Sequence, residues 1–120
     1  MQKVYYLSTC ATSKRIISEL NLKELEFQFQ DIKFEAITPE QLDEMKELAG
    51  NYESLFSKIA RKYKELGLKD KKLTESDFKK YILSEYTFLK RPVIIYKKHI
   101  FIGNSKKVVE TAKSILSNTQ

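Results

Sequence analysis

The sequence predicts an α/β protein built on a four-stranded mixed sheet, and three observations support that prediction. The chain begins with the pattern of an apolar strand, a helix and a second strand. Its middle carries the start and stop signals of helices. An apolar hairpin and an amphipathic helix follow. The predicted order is therefore βαβ, a helical segment and ββα, and hydrophobic periodicity leaves the order of the strands in the sheet open.

The N-terminal βαβ unit is indicated by a change of hydrophobic period. Lys3–Leu7 is apolar and rich in β-forming residues, which predicts a buried strand. Apolar residues at helical spacing predict a helix over Ser13–Leu20, whose start the hydroxyls within Ser8–Thr12 are suited to cap. Leu25–Gln30 then alternates apolar and polar residues as a strand does. A strand–helix–strand unit of this length favours two parallel strands joined by a crossover helix.

Three helices are predicted between the two halves of the sheet. The first starts at Thr38, after which a proline takes the first helical position and a glutamate follows. The second covers Tyr52–Leu66, with a glycine after it as the C-terminal cap. The third starts at Thr74, with acidic residues in its first turn. We predict that these helices form an insertion over residues 38–87 within a single domain of residues 1–120.

The last part of the chain has the pattern of a hairpin followed by a helix. Two apolar runs, Arg91–Tyr96 and His99–Gly103, are separated by two lysines. Apolar residues at helical spacing then predict a final helix over Lys106–Leu116. The hairpin makes the predicted sheet mixed, because its strands are antiparallel while the first two strands are expected to be parallel.

The composition of the chain limits the kinds of molecule that the protein is expected to bind. The 120 residues carry a net charge of +6, and the lysine excess lies between Lys58 and Lys107. This positive charge could attract phosphate, nucleic acid or acidic proteins over a long range. The lysines are interspersed with acidic residues, however, and charged residues on solvated helical faces are the simpler interpretation. No groove-reading motif accompanies the charge, so we expect no direct nucleic-acid binding.

The sequence carries no sign of export or of a membrane span. No basic segment followed by an apolar stretch precedes the first strand, and no apolar run approaches the roughly 20 residues that span a bilayer. The single cysteine cannot form an internal disulfide, which agrees with a reducing compartment. We expect a cytoplasmic protein without membrane contact.

Cys10 lies in the turn between the first strand and the first helix. Backbone N–H groups and the helix dipole at such a turn stabilise a thiolate, and Lys14 and Arg15 add positive charge within one helical turn. A lone cysteine is also commonly a small buried hydrophobe, so both interpretations stay open, and the position favours a reactive or anion-facing thiol. Cys10 and the single histidine, His99, cannot build a tetrahedral zinc site without several carboxylates, so no metal site is predicted.

Pro92 stands at the start of an apolar strand, a position where proline is tolerated in a sheet. A proline that simply begins the strand is the plain interpretation. The alternative is a cis peptide bond between Arg91 and Pro92, which would hold the backbone close to Cys10. The residues alone leave both interpretations open.

Four segments of the chain resemble the arsenate reductase family of the ArsC/Spx type. They correspond to the family's catalytic turn, its Y-x-E-L-G-L element, its I-K-R-P-[IL]-[VL] strand start and the residues before its last helix, and they lie at Tyr5–Lys14, Tyr63–Leu68, Leu89–Ile94 and Phe101–Gly103. Each motif is short, but four in the right order and spacing are specific. The resemblance covers nearly the whole chain.

This resemblance implies a thioredoxin-like fold with a helical insertion and a cis peptide before Pro92. In the family's reductases a cysteine thiolate attacks arsenate, and glutathione and glutaredoxin then resolve the arsenic–cysteine adduct. On that template Cys10 is the nucleophile, glutathione is a co-substrate, and Arg91 binds and neutralises the oxyanion through bidentate hydrogen bonds. The residues implied in anion binding at the helix start are Thr12, Ser13 and Lys14.

The chain departs from the family pattern at two arginine positions, where it has Ser57 and Asn104. Each missing charge-assisted contact weakens the hold on an arsenate dianion by about 1.5–3 kcal/mol. The family also contains Spx-like transcription regulators that bind RNA polymerase, and many of them use a Cys-x-x-Cys switch whose second cysteine is Ser13 here. Cys-x-x-Ser resembles monothiol glutaredoxin chemistry instead, in which the cysteine forms a mixed disulfide with glutathione.

The first hypothesis is an arsenate reductase-like oxidoreductase that uses a Cys10 thiolate, with glutathione and glutaredoxin as reductants. Two alternatives stay open: a non-enzymatic regulator that binds RNA polymerase, and a family member that has kept the fold without activity. The residues that favour the enzyme are Cys10, Thr12, Ser13 and Arg91. The two missing arginines favour the alternatives.

Overall fold

The computed structural model describes residues 2–117. The helices and strands in this part of the chain are, in order, β1 (Gln2–Tyr6), α1 (Ala11–Glu19), β2 (Gln28–Asp31), α2 (Pro39–Ala49), α3 (Arg61–Glu65), α4 (Glu75–Ser84), β3 (Val93–Tyr96), β4 (His99–Ile102) and α5 (Lys106–Ser117). Single-turn 3-10 helices lie at Glu53–Leu55, Leu68–Asp70 and Tyr86–Phe88. The described residues through Glu35 and from Arg91 onward form one compact unit, and Ala36–Lys90 forms a second.

The first unit contains a four-stranded sheet in the order β2-β1-β3-β4. β1 pairs in parallel with β2 and antiparallel with β3, and β3 and β4 form the hairpin. The predicted mixed sheet, its parallel N-terminal pair and its antiparallel hairpin are therefore confirmed. The structure also supplies the strand order, in which β3, whose residues are all buried, is a central strand beside β1.

Both helices of the first unit share a core with one face of the sheet. Val4, Ile94 and Phe101 are neighbours across β1, β3 and β4, so their side chains lie on the same face. The apolar residues of the two helices that are buried in the core with this row are Ile16, Ile17, Ala112 and Leu116. The predicted C-terminal helix is confirmed, and its apolar stripe forms part of this core.

The second strand starts later than predicted. β2 begins at Gln28, whereas the alternating pattern predicted a strand from Leu25. Residues 21–26 form turns, and Asn21 and Glu26 have positive φ angles of 57° and 62°. The alternation extends into these turns because the side chain of Leu25 packs against the core without belonging to a strand.

Capping boxes define two helix starts in the second unit. The hydroxyl of Thr38 accepts from the N–H of Gln41 at 3.0 Å, and the Gln41 side chain accepts from the N–H of Thr38 at 3.1 Å. Thr74 and Asp77 form the same reciprocal pair at the start of α4. α2 ends at Ala49 and is capped by Gly50, whose φ of 97° lies in the left-handed region that favours glycine. Both predicted helix starts are confirmed.

The predicted helix over Tyr52–Leu66 is wrong. The structure has a 3-10 turn and the short α3 in this segment, and the backbone between them is extended at Phe56. Phe56 forms an antiparallel bridge with Leu89. Beside the bridge, the N–H of Ser57 donates to the carbonyl of Phe88 at 2.7 Å. These backbone groups therefore form hydrogen bonds with a segment that is distant in the sequence, and they do not form the hydrogen bonds of a helix.

The side chain of Phe56 explains why the predicted helix is broken. Its ring lies in an aromatic cluster, with centroid distances of 4.9 Å to Phe78, 5.1 Å to Phe88 and 5.9 Å to Tyr63. Burial of an aromatic side chain is worth about 1.5–3 kcal/mol, whereas helix propensities of ordinary residues differ by up to about 0.7 kcal/mol. The tertiary contact therefore outweighs the local preference.

The second unit contains α2, α3 and α4, so the part of the chain predicted to be an insertion is mainly helical. The single domain with an insertion over residues 38–87 stays a prediction. Within the described residues, none of the helices has the length and apolar composition needed to cross a membrane.

Replacing Phe56 by alanine should lower the free energy of unfolding by about 3–5 kcal/mol, because it leaves a cavity among the other rings. The matched control is Ile59→Ala in the same loop, where the side chain is 92% exposed and the change should stay within about 0.5 kcal/mol. Urea denaturation followed by circular dichroism measures both. Equal losses for the two variants would contradict the tertiary origin of the broken helix.

Candidate active site around Cys10

The pairing of β1 with β3 creates the candidate site within the first unit. Because the strands are antiparallel with Tyr5 opposite Val93, the end of β1 lies beside the start of β3. Cys10 follows β1, and the Arg91–Pro92 peptide precedes β3. Residues that are far apart in the sequence are thereby brought to the same edge of the sheet.

Cys10 is the N-cap residue of α1, with extended backbone angles of φ −100° and ψ 107°. Its N–H donates to the carbonyl of Leu7 at 2.9 Å, and its own carbonyl accepts from the N–H of Lys14 at 3.2 Å. No side chain caps the helix, so the hydroxyl cap predicted within Ser8–Thr12 is wrong. Cys10 is half-buried and stands at the positive end of the helix dipole.

The pKa of the Cys10 thiol lies below its ordinary value because several groups outweigh desolvation. Partial burial alone raises this pKa, since it disfavours the charged thiolate. The hydroxyl and N–H of Ser13, the guanidinium of Arg91 and the N–H of Thr12 all lower it. Hydrogen-bond donors and a nearby cation stabilise the thiolate more than burial destabilises it.

The hydroxyl of Ser13 is a buried donor. The side chain has no exposed surface, and among the described residues its Oγ has no hydrogen-bond partner. The hydroxyl nevertheless lowers the pKa of Cys10, because a donor beside the sulfur stabilises the charged thiolate more than the neutral thiol. A buried hydroxyl without a partner costs about 1–3 kcal/mol, so a thiolate or a bound anion is the group that would satisfy it.

Arg91 and Pro92 lie on the other side of the turn. The peptide bond between them is cis, which confirms the geometry that the family resemblance implied. Pro92 is buried, and its carbonyl accepts from the N–H of Gly103 at 2.9 Å. This hydrogen bond joins the residue before β3 to the residue after β4. Arg91 is half-buried, and its charge lowers the pKa of Cys10.

The cation with the largest effect on the sulfur is Arg91, which precedes β3, rather than a residue of α1. Lys14 is exposed and is not among the groups that lower the pKa of Cys10. Arg15 is also exposed and pairs with Glu19 at 3.5 Å. The principal positive charge at the sulfur is therefore that of Arg91, and the roles of Thr12, Ser13 and Lys14 in anion binding stay predictions.

Asp31 is a residue at this edge that sequence analysis missed. Its Oδ1 accepts from the N–H of Ser8 at 3.4 Å and from the N–H of Lys33 at 3.2 Å, so it ties the turn before Cys10 to the end of β2. Desolvation alone raises its pKa, but donation by the Ser8 hydroxyl and by these N–H groups holds it below the ordinary value. The available signal was a carboxylate directly after the predicted strand Leu25–Gln30, which was expected to be parallel to the first strand.

The two positions where family arginines were expected lie in different units. Asn104 is exposed in the loop between β4 and α5, next to the exposed Lys106 and Lys107. Ser57 is buried in the second unit. His99 is exposed on β4, and its ring stacks on that of Phe101 with the centroids 6.1 Å apart.

Comparison with known proteins assigns the chain to a family. The sequence model of the ArsC family matches residues 5–112. None of the curated proteins matches the chain significantly.

Solved structures extend the comparison to the fold. An ArsC family related protein from Bacteroides fragilis has a TM-score of 0.77 at 21% identity, over 92% of this chain and 96% of that one. An arsenate reductase from Vibrio cholerae has a TM-score of 0.75 at 17% identity, over 95% and 98%. An arsenate reductase related protein from Brucella melitensis has a TM-score of 0.70 at 20% identity, over 92% of each chain. At sequence identities this low the structural likeness shows the fold alone, and it confirms the thioredoxin-like α/β fold.

Alkylation of Cys10 by iodoacetamide should rise with pH through a midpoint below the ordinary cysteine pKa of about 8.5, because the thiolate is the reactive form. Ser13→Ala should move the midpoint upward, since a donor to the thiolate is lost. Ser18→Ala, an exposed serine on the same helix, is the matched control and should leave the midpoint unchanged. A wild-type midpoint at or above the ordinary value would mean that Cys10 is merely structural.

Proposed function

Because the chain belongs to the ArsC family, we propose that it is a thiol oxidoreductase of the arsenate reductase type. The thiolate of Cys10 is the nucleophile, and an arsenate-like oxyanion is the substrate. Arg91 binds the oxyanion and neutralises its charge. Glutathione is the second thiol, and glutaredoxin returns Cys10 to its reduced form.

The observation that carries this proposal is the set of groups around the Cys10 sulfur. The thiol has a lowered pKa and stands at the start of α1. A buried hydroxyl, that of Ser13, is available to a negative charge there. A guanidinium lies close enough to stabilise the thiolate. Such donors serve a nucleophilic sulfur and a tetrahedral oxyanion equally, because both carry negative charge in the reaction.

The proposed reaction balances with two thiols. The Cys10 thiolate forms a bond to arsenic(V), and one arsenate oxygen leaves as water after protonation. A glutathione thiolate then attacks the Cys10 sulfur, and the electron pair of the sulfur–arsenic bond passes to arsenic, which leaves as arsenite. The thiols have supplied two electrons and become a mixed disulfide, which glutaredoxin reduces.

The backbone of α1 and the guanidinium have separate roles in this scheme. The N–H groups of Thr12 and Ser13 at the helix start would hold oxyanion oxygens, with the exposed Lys14 adding charge from the solvent side. Arg91 would form the stronger contact, since a guanidinium binds an oxyanion with two parallel hydrogen bonds. The sulfur and the anion would therefore share one set of donors.

The two missing family arginines affect the affinity that we expect for arsenate. Asn104 is exposed and offers an amide where a guanidinium would add a charge-assisted bond worth about 1.5–3 kcal/mol. Ser57 is buried, so an arginine there would have to be desolvated. We therefore propose weak arsenate binding, with Arg91 as the principal anchor.

A regulator that binds RNA polymerase is the second candidate, and the two missing arginines are the observation that favours it. A protein that acts through contacts alone has no need of a complete oxyanion site. The single cysteine excludes an internal disulfide switch, so such a regulator would respond to oxidation only through a mixed disulfide at Cys10.

Cys10→Ser should abolish arsenate reduction in an assay that couples glutathione and glutaredoxin to NADPH oxidation, because an alcohol cannot form the sulfur adduct or the mixed disulfide. Arg91→Ala should lower kcat/KM by about 10- to 100-fold, the effect of losing a charge-assisted contact. Arg91→Lys should lose less, since the charge survives without the bidentate fork. Arg15→Ala removes an exposed arginine of α1 and should have little effect.

Activity that persists in Cys10→Ser would contradict the proposal outright. If the wild type is inactive with arsenate and with glutathione mixed disulfides, yet retains RNA polymerase in a pull-down, the regulator is the better hypothesis. Inactivity in both assays would leave the third alternative, a family member that has kept the fold without activity.

Asn104→Arg should lower the KM for arsenate by about tenfold, because it adds one charge-assisted contact at an exposed position that can accept a longer side chain. Asn104→Gln is the control, since it lengthens the side chain without charge and should leave KM unchanged. Steady-state kinetics on the three proteins measure the effect. Equal KM values would place Asn104 outside the anion site.

A further inference from the structure

Most of the positive charge of this protein is concentrated in one short segment. Residues 58–72 carry seven cations against two carboxylates, a net charge of +5 out of +6 for the whole chain. The cations are Lys58, Arg61, Lys62, Lys64, Lys69, Lys71 and Lys72. All seven are exposed. A surface that needs only solubility mixes both signs of charge, so this imbalance calls for another explanation.

The segment is held in place by its own apolar residues, which leaves its cations on the solvent side. Leu68 is fully buried and Ala60 is 8% exposed. The Tyr63 ring packs edge-on against Phe56 at 5.9 Å. Gly67, with a φ of 64°, joins α3 to the following 3-10 turn through a left-handed residue. The cations are thus displayed from an anchored segment.

Few of these charges are neutralised within the protein. Lys58 pairs with Glu53 at 3.3 Å and Lys62 with Glu65 at 3.8 Å. In the part of the chain that the structure describes, the other five cations have no carboxylate within ion-pair distance: Arg61, Lys64, Lys69, Lys71 and Lys72. Like charges concentrated in one short segment repel one another, so an anionic partner would relieve a cost that the free protein carries.

Two exposed apolar side chains lie among the cations. Ile59 is 92% exposed and Leu66 is 47% exposed. Protein–protein interfaces combine an apolar centre with a polar rim, and this exposed segment carries both kinds of side chain. We call the surface formed by the seven cations, Ile59 and Leu66 the basic patch.

We propose that the basic patch binds an acidic segment of another protein, in which aspartate and glutamate side chains pair with the lysines and an apolar residue contacts Ile59 and Leu66. Nucleic acid fits this surface less well. Aliphatic anchors do not stack on bases, and the one aromatic ring in the segment, that of Tyr63, is engaged with Phe56. α3, with five residues, is also too short to read a groove. The proposal does not depend on the chemistry of Cys10.

The test is a fluorescence anisotropy titration of the full chain against three labelled synthetic probes of equal length. One is a peptide in which glutamates alternate with leucines, the second has lysines in place of the glutamates, and the third is a single-stranded oligonucleotide. The acidic peptide should bind tightest, and its affinity should fall as salt is added. Tighter binding of the oligonucleotide, or no binding of the acidic peptide, would overturn the proposal.

Charge-reversal variants locate the binding surface. The triple variant Arg61→Glu, Lys64→Glu and Lys69→Glu should weaken binding of the acidic peptide by about tenfold or more. The control triple variant changes the net charge equally at exposed lysines of the other unit: Lys23→Glu, Lys98→Glu and Lys113→Glu. It should bind as wild type does, apart from a small loss from long-range attraction. Equal weakening by both triple variants would overturn the assignment to the basic patch.

The apolar anchors distinguish a protein interface from bare electrostatic attraction. Ile59→Ser with Leu66→Ser keeps every charge and removes the exposed apolar side chains, so it should also weaken binding of the glutamate–leucine peptide, by several-fold. Circular dichroism spectra and urea midpoints like those of the wild type verify that each variant is folded. Unchanged affinity in the folded double variant would overturn the apolar part of the proposal.

Discussion

The antiparallel pairing of β1 with β3 is the constraint on which the candidate site depends. It sets Tyr5 opposite Val93, and so it brings Arg91 and the cis peptide beside the turn that carries Cys10. The same register aligns Val4 with Ile94 in the buried core. A slip of one residue would turn these core side chains to the opposite face, so the hydrophobic effect holds the register and the register holds the site.

The chemistry of Cys10 arises from opposing contributions rather than from one strong interaction. Burial raises the pKa of the thiol, and the donors of Ser13 and Thr12 together with Arg91 lower it further than burial raises it. The exposed Lys14 on α1 is not among the principal contributions to this pKa. A half-buried sulfur with buried donors is better suited to an anionic reaction than one surrounded by mobile surface cations, since fixed donors need no reorganisation when charge develops.

The second unit shows how a side chain decides a backbone conformation. Phe56 stands within a stretch whose composition favours a helix, yet its ring is buried among other aromatic rings and its backbone pairs with Leu89. The loop that results carries Ile59 at its surface and leads into the cations of the basic patch. A continuous helix would have distributed these side chains around its circumference, so the aromatic cluster indirectly shapes the charged surface.

The sequence by itself determined the class of the fold, because hydrophobic period, capping residues and glycines are local signals: the hairpin, the helix starts at Thr38 and Thr74 and the position of Cys10 at a helix start were all predictable. The family resemblance added the cis peptide. Only the tertiary structure decided the strand order, the extended backbone at Phe56 and the partners of the sulfur. These depend on contacts between residues far apart in the chain, such as Cys10 with Arg91 and Ser8 with Asp31, and local periodicity carries no information about such pairs.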